Sequence, residues 1–215
     1  RSKMNRDKDF YNEQEPKDLD LFLQKERVKS YAEELFIRQY EDEVVEADDC
    51  IGYYCGQMDD DEKVVILTND RDMCQLIDDR VAIYLLNKRT IVSKGNYNEF
   101  FEHHHTNAGL IKIITGDSSD NIKGVKGVKE KTLLKYFPEL SEKSLSLNEI
   151  FSKITHIQNE RKTRLKTLDN ILNGITDGVQ KDRLYEVNEK IINLKNPILT
   201  DECIENLNII IESPI

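Results

Sequence analysis

The chain has 215 residues, 38% of them hydrophobic and 33% charged, with a formal net charge of −10. That length suits one good-sized domain with a core of its own, and recurring aliphatic clusters exclude wholesale disorder. No apolar run approaches the ~18 residues of a membrane span, no signal-type apolar core opens the chain, and the four cysteines (Cys50, Cys55, Cys74, Cys203) lack paired metal spacing and fit a reducing cytosol.

In chain order, residues 17–40 predict a long amphipathic helix behind Pro16, with Leu19, Phe22, Leu23, Tyr31, Leu35, Phe36 and Tyr40 at helical intervals. Lys25, Arg27 and Lys29 read as its solvated face. Val44-Val45 is a short apolar step, read as a strand end. Residues 47–58 read as a helix in which Cys50, Cys55, Tyr53 and Tyr54 pack. Lys63-Val-Val-Ile-Leu-Thr68 is short and rich in branched residues, which predicts a buried strand. A helix begins over Met73–Ile77, a second strand covers 81–86, and a third lies near Ile91-Val92 beyond the turn at Lys88-Arg89. From Asn96 the reading is helical, with stretches near 130–137, 146–156, 158–173, 180–194 and 201–211. It is broken by the polar loop 116–121 and by Gly124 and Gly127. Tyr136 reads as a packing residue. His103-His104-His105 reads as a solvated helix end, because three consecutive side chains cannot all face one ion. Strands alternating with helices predict an α/β fold with a largely parallel sheet. The chain divides into a partial α/β domain over 1–95 and a helical region over 96–215.

The charge is unevenly spread. Residues 41–80 hold fourteen acids against three bases, whereas residues 123–166 hold eleven bases against five acids. This pattern reads as a cation-binding cluster beside a surface for a polyanion, or as two ordinary solvated faces. Three acidic clusters fall at the ends of elements: Glu46, Asp48 and Asp49 at a helix start; Asp70 and Asp72 after a strand; Asp117 and Asp120 in a loop. Sites in open α/β sheets form beyond the carboxyl ends of strands. Gathered carboxylates repel unless a cation neutralises them, and an all-oxygen donor set favours Mg2+ or Mn2+. The segment Asn121-Ile-Lys-Gly124-Val-Lys-Gly127-Val-Lys-Glu-Lys131-Thr132 puts two glycines and a row of lysines before a helix, a pattern suited to a phosphate backbone.

These residues resemble the 5′→3′ exonuclease and flap endonuclease family, closest to its bacteriophage type, which includes phage RNase H. Val45-Glu46-Ala47-Asp48-Asp49 resembles the family's E-A-D-D motif, and Thr68-Asn69-Asp70-Arg71-Asp72 its S/T-x-D-x-D motif. Residues 116–128 resemble G-D-x-x-D-N-I-x-G-V-x-G-I, the start of the helix–hairpin–helix region. Lys3-Met4-Asn5-Arg6-Asp7 resembles the K-x-N-R-D stretch of the helical arch. The resemblance implies a PIN-like sheet flanked by helices, followed by a helical DNA-binding region with its hairpin within 116–137. It implies a metal-dependent 5′ nuclease that hydrolyses phosphodiesters with two ions, Mg2+ or Mn2+, held by Glu46, Asp48, Asp49, Asp70, Asp72, Asp117 and Asp120. Lys3 and Arg6 would polarise the scissile phosphate. Lys123, Gly124, Lys126, Gly127, Lys129, Lys131 and Thr132 would hold the duplex backbone, and the hairpin is where family members hold a monovalent cation.

The implied partners are DNA with 5′ ends, nicks or flaps, RNA–DNA hybrids and replication proteins. The implied setting is a cytoplasmic monomer, in the host cytoplasm for a phage protein, with RNA-primer removal among its tasks. The sequence departs from the family in three places. The family's first strand and two upstream Asp residues have no counterpart, so the chain reads as a fragment that is inactive alone. Lys129 and Glu130 replace the hairpin's third glycine and the residue after it. Ser2 stands where a tyrosine often precedes the arch lysine. The competing readings are a noncatalytic, structure-specific DNA-binding module derived from the same family, and a PIN-like ribonuclease.

Overall fold

A computed structural model describes residues 17–181 and 183–213. The arch-like stretch, with Ser2, Lys3 and Arg6, lies outside the described residues. The chain forms two compact units, one made of the residues up to Tyr54 together with those from Leu199 onward, the other of Cys55–Ile198.

In the first unit, helix α1 spans Lys17–Glu34 and stops short of the expected 40. Phe36 follows with a left-handed φ of 56°. Leu19, Phe22, Leu23, Tyr31, Leu35 and Phe36 are all exposed, so the expected amphipathic stripe does not face a core. Leu21 and Val28 interleave with them and spread the apolar surface round the axis, whereas a buried helix collects it on one side. Val44-Val45 is not a strand end: the Asp42 carboxylate accepts both amides, at 2.7 and 2.9 Å, and makes a turn. Helix α2, Ala47–Gln57, follows. Its Tyr53 hydroxyl donates to Asn208 Oδ1 at 2.9 Å on the C-terminal helix, Asp201–Glu212. Burial, and then the neighbouring Cys203, push the Cys50 thiol up to about 12, which keeps it protonated as a packing residue keeps its thiol.

The second unit opens with a three-stranded sheet of β1 (Val64–Thr68), β2 (Val81–Leu85) and β3 (Thr90–Val92), in that spatial order. β1 and β2 run parallel and β2 and β3 antiparallel, so the sheet is mixed. The crossover between the parallel strands carries a short 3-10 segment, Arg71–Leu76, where an α-helical start was expected. Ile66, Ile83, Leu85 and Val92 point into a core with Met73, Leu76 and Ile77. The strand pattern therefore holds on one face only. Val65, Leu67 and Ile91 remain 48%, 65% and 49% exposed, so β1 is not buried on both sides as its composition predicts.

Beyond the sheet come α3 (Ala108–Thr115), the ribbon β4–β5 (Gly116–Asp117 with Ile122–Lys123), α4 (Glu130–Tyr136), α5 (Leu147–Asn159) and α6 (Lys166–Leu172). A second ribbon, β6–β7 (Ile175–Thr176 with Val179–Gln180), and α7 (Leu184–Ile192) complete the unit. The helices close over Ile114, Leu133, Phe137, Ile150, Ile154, Leu168 and Ile171, all fully buried. The two ribbons were not anticipated in a stretch read as helix and loop. The second turns at Asp177-Gly178, both with positive φ, as a tight hairpin demands. His103 and His105 are buried, not a solvated helix end. Among the described residues no helix is long and apolar enough to cross a membrane.

Candidate metal centre and hairpin

The second unit brings two of the three acidic clusters together. Asp70 caps the 3-10 segment after β1, accepting the Asp72 amide at 2.8 Å. That cap turns the chain so that Asp72 faces α3, while Asp70 stays exposed. Asp117 sits at the foot of the β4–β5 ribbon and accepts the Ser119 amide at 2.9 Å. Carboxylate oxygens of Asp72, Asp117 and Asp120 lie within 4.8 Å of one another. Glu46, Asp48 and Asp49 belong to the first unit. There the Glu46 carbonyl accepts the Asp49 amide at 3.1 Å, and both aspartates occupy the first turn of α2, where the helix dipole favours negative charge.

One basic side chain enters the Asp72–Asp117–Asp120 group. Lys112 bonds Asp117 Oδ2 at 2.7 Å and also bonds Asp72 Oδ1. Burial works against the Asp117 charge, but Lys112 and Ser119 outweigh it and hold the carboxyl down at about 2. At Asp72 burial prevails and, with the nearby Asp70 and Asp117 charges, raises the carboxyl above its ordinary range despite Lys112. Burial alone would lower the lysine, yet its two carboxylate partners raise it, so it is firmly an ammonium. The donors are all carboxylate oxygens and already hold a cation in the form of this ammonium, so the residues fit a hard divalent ion. Asp72, Asp117 and Lys112 border a cavity of about 520 Å3 whose wall also carries Arg71, Tyr97, Phe101 and Lys131.

The hairpin is fixed from inside. A Cβ on Gly124 would stand 2.0 Å from the Thr115 carbonyl group, and one on Gly116 would stand 2.3 Å from the Gly124 nitrogen. Gly124 therefore serves a backbone-to-backbone contact within the chain. Gly127 has open space but a φ of 74°, so it is a turn glycine. The amides of Val125 and Lys126 donate to Ile114 and Ile175 carbonyls, both at 2.8 Å. This leaves side chains and the start of α4, more than those loop amides, to meet a partner. Lys123, Lys126, Lys129 and Lys131 are exposed, and Thr132 caps α4 through Lys129.

Three features carried no signal that the sequence reading used. Asn188, 3% exposed on α7, donates to the Ile113 carbonyl of α3 and the Lys123 carbonyl of β5, each at 2.9 Å, and so ties the metal-side helix to the ribbon. Buried His103 bonds the Tyr97 hydroxyl at 2.9 Å and Glu130 at 2.7 Å, which anchors the start of α4. Lys112 was legible in principle, as the lone charge in the apolar stretch Ala108–Thr115.

A mixed sheet whose following loops collect carboxylates, continued by a helical region with a glycine hairpin, is a PIN-like α/β architecture. The family model described as the 5'-3' exonuclease N-terminal resolvase-like domain matches residues 2–104. A 5'-3' exonuclease of Bacillus subtilis is 36% identical over 129 residues, covering 56% of this chain and 42% of the relative. DNA polymerase I of Lactococcus lactis is 31% identical over 197 residues, covering 84% of this chain and 21% of the relative. A solved structure of the T5 flap endonuclease, a pseudo-enzyme-product complex with DNA and metal ions, covers 98% of this chain and 71% of its own. Its TM-score is 0.61 at 21% identity, a likeness of fold. The chain is thus similar in sequence to 5′-3′ exonucleases and similar in fold to the T5 flap endonuclease. The chain spans less than half the length of the curated relatives cited here.

Proposed function

We propose that this chain is part of a divalent-metal-dependent 5′ nuclease acting on DNA with free 5′ ends, nicks or flaps. The observation that carries this reading is the convergence of Asp72, Asp117 and Asp120 within 4.8 Å, from segments far apart in sequence, at the foot of a lysine-bearing ribbon. Asp70, Asp72, Asp117 and Asp120, with Glu46, Asp48 and Asp49, would supply the ligands of two ions, with no acid assigned to either one. Bound Mg2+ or Mn2+ would activate water and neutralise charge developing on the phosphate.

The chain's own residues do the rest. Lys123, Lys126, Lys129 and Lys131 attract the duplex backbone without reading bases. Gly124, Gly127 and Thr132 hold the ribbon and the start of α4 in place. Lys3 and Arg6 would meet the phosphate to be cut. RNA-primer removal, RNA–DNA hybrids and replication partners belong to the same reading, as does a monovalent cation at the hairpin.

The test is cleavage of 5′-labelled flapped, nicked and blunt duplexes, DNA and RNA–DNA, by the complete protein including the upstream segment, with Mg2+ or Mn2+. We expect cutting that EDTA abolishes and that Asp117→Asn lowers by about 10²-fold or more. Salt-sensitive binding without any cleavage, even by the complete protein with the upstream segment present, would establish the DNA-binding module in its place.

A further inference from the structure

Lys112 is the only charged residue of α3. Its ammonium bonds two of the three grouped carboxylates, Asp117 at 2.7 Å and Asp72. Three half-buried or neighbouring carboxylates cannot stay close and charged without a cation among them. An ammonium nitrogen has no lone pair, so it cannot join a metal's ligand shell. A dication on the same oxygens would also repel it strongly at this range. The ammonium and an ion therefore exclude each other.

We propose that Lys112 is a resident stand-in for the divalent ion, holding Asp72 and Asp117 together in the metal-free protein and giving up both bonds when an ion enters. The claim rests on the metal-centre reading above and deepens it. Metal uptake becomes an exchange of cations at a site already shaped for one. The released ammonium has somewhere to go: Lys112 lines the cavity of about 520 Å3, whose wall also carries Glu102 and Glu130.

Calorimetric titration of the protein with Mn2+ tests this. Lys112→Gln should bind Mn2+ about tenfold more tightly than wild type, because no internal cation competes. It should also melt earlier than wild type without metal and recover with saturating Mn2+, which loss of a merely structural contact would not do. A measurement without any variant follows the lysine ε-ammonium by 15N NMR. The Lys112 signal should be protected from exchange in the metal-free protein and should lose that protection as Mg2+ is added. Equal or weaker Mn2+ affinity in Lys112→Gln, or a Lys112 signal unchanged at saturating Mg2+, overturns the proposal. Asp117→Asn separates the two levels. If Mn2+ affinity falls in Asp117→Asn but is unmoved in Lys112→Gln, the metal centre stands and the stand-in role falls. If neither variant shifts it, both fall. Absence of DNA cleavage by the complete protein, with the Mn2+ and NMR behaviour as expected, would sink the nuclease reading alone.

Discussion

Single polar side chains in the interior do much to shape the candidate site. Asn188 satisfies two carbonyls that would otherwise be left in or near the core, one on α3 and one on β5. A leucine fills similar space but donates nothing, and each unpaired buried carbonyl costs roughly 1–3 kcal/mol. Asn188→Leu should therefore lower stability by at least ~2 kcal/mol in urea unfolding, and should loosen the ribbon that carries Asp117. His105 adds a pH dependence. Its Nδ1–H donates to the Ile77 carbonyl at 3.0 Å. Burial, aided by the positive charges of His104, Lys195 and Lys94, holds its pKa below the ordinary 6.5, with the exposed Asp79 opposite and the Tyr97 ring edge beside it. The unfolded chain takes up this proton more readily than the folded one. The stabilising contribution is therefore complete above about pH 6.5, declines as pH falls below it, and stops declining once the pH passes the folded pKa. Denaturation midpoints at pH 7.5 and 5.5 should differ less in His105→Gln than in wild type, although the variant is weaker at pH 7.5. An equal drop in both proteins would rule out His105 as the source.

At the scale of elements, two glycines three residues apart do different work, and substitution should show it. Gly124→Ala drives a methyl into the Thr115 backbone, which cannot yield cheaply, so a loss of about 3 kcal/mol is expected. Gly127→Ala meets only the left-handed backbone penalty, ~1–2 kcal/mol. Thermal unfolding of the pair distinguishes a close approach from a turn. The sheet offers the converse case. Val65 and Leu67 are exposed on β1, which among the described residues pairs on one side only, and open apolar strands invite association. The double substitution Val65→Thr, Leu67→Thr should leave stability within ~0.5 kcal/mol and raise the concentration at which light scattering reports aggregation. These elements also show what the sequence made legible. β1 and β2 were readable because short apolar runs rich in branched residues favour strands, and the helical stretch near 146–156 is α5. The exposure of α1 was not, because intervals between apolar residues do not say whether anything covers them. Asp72 and Asp117 stood out by motif. Lys112, Asn188 and His103 did not, because a polar residue becomes a support only through partners that the fold brings near.

Across the whole molecule, net charge is a poor guide to partners. At −10 the chain should repel DNA, yet between 123 and 166 bases outnumber acids by eleven to five. Several of those acids are already engaged. Glu130 bonds His103 at 2.7 Å, Glu139 bonds Lys153 at 2.6 Å, and Glu149 caps α5 through Ser146. Among the described residues the ribbon's Lys123 pairs with the exposed Asp177 at 3.8 Å, a weak pairing that leaves it comparatively free. At physiological salt, fields fade within ~8 Å, so a phosphate at the ribbon responds to these lysines and much less to acids further away. Binding to a flapped duplex should therefore weaken steeply with salt and be indifferent to base sequence. Each lysine that meets a phosphate contributes close to one unit to the slope of log affinity against log salt. Lys126→Ala and Lys131→Ala should each flatten that slope by ~1, and the double variant by ~2, with equal losses on duplexes of unrelated sequence. Fluorescence anisotropy across a salt series measures this directly. A slope unmoved by either substitution would take Lys126 and the start of α4 out of the interface.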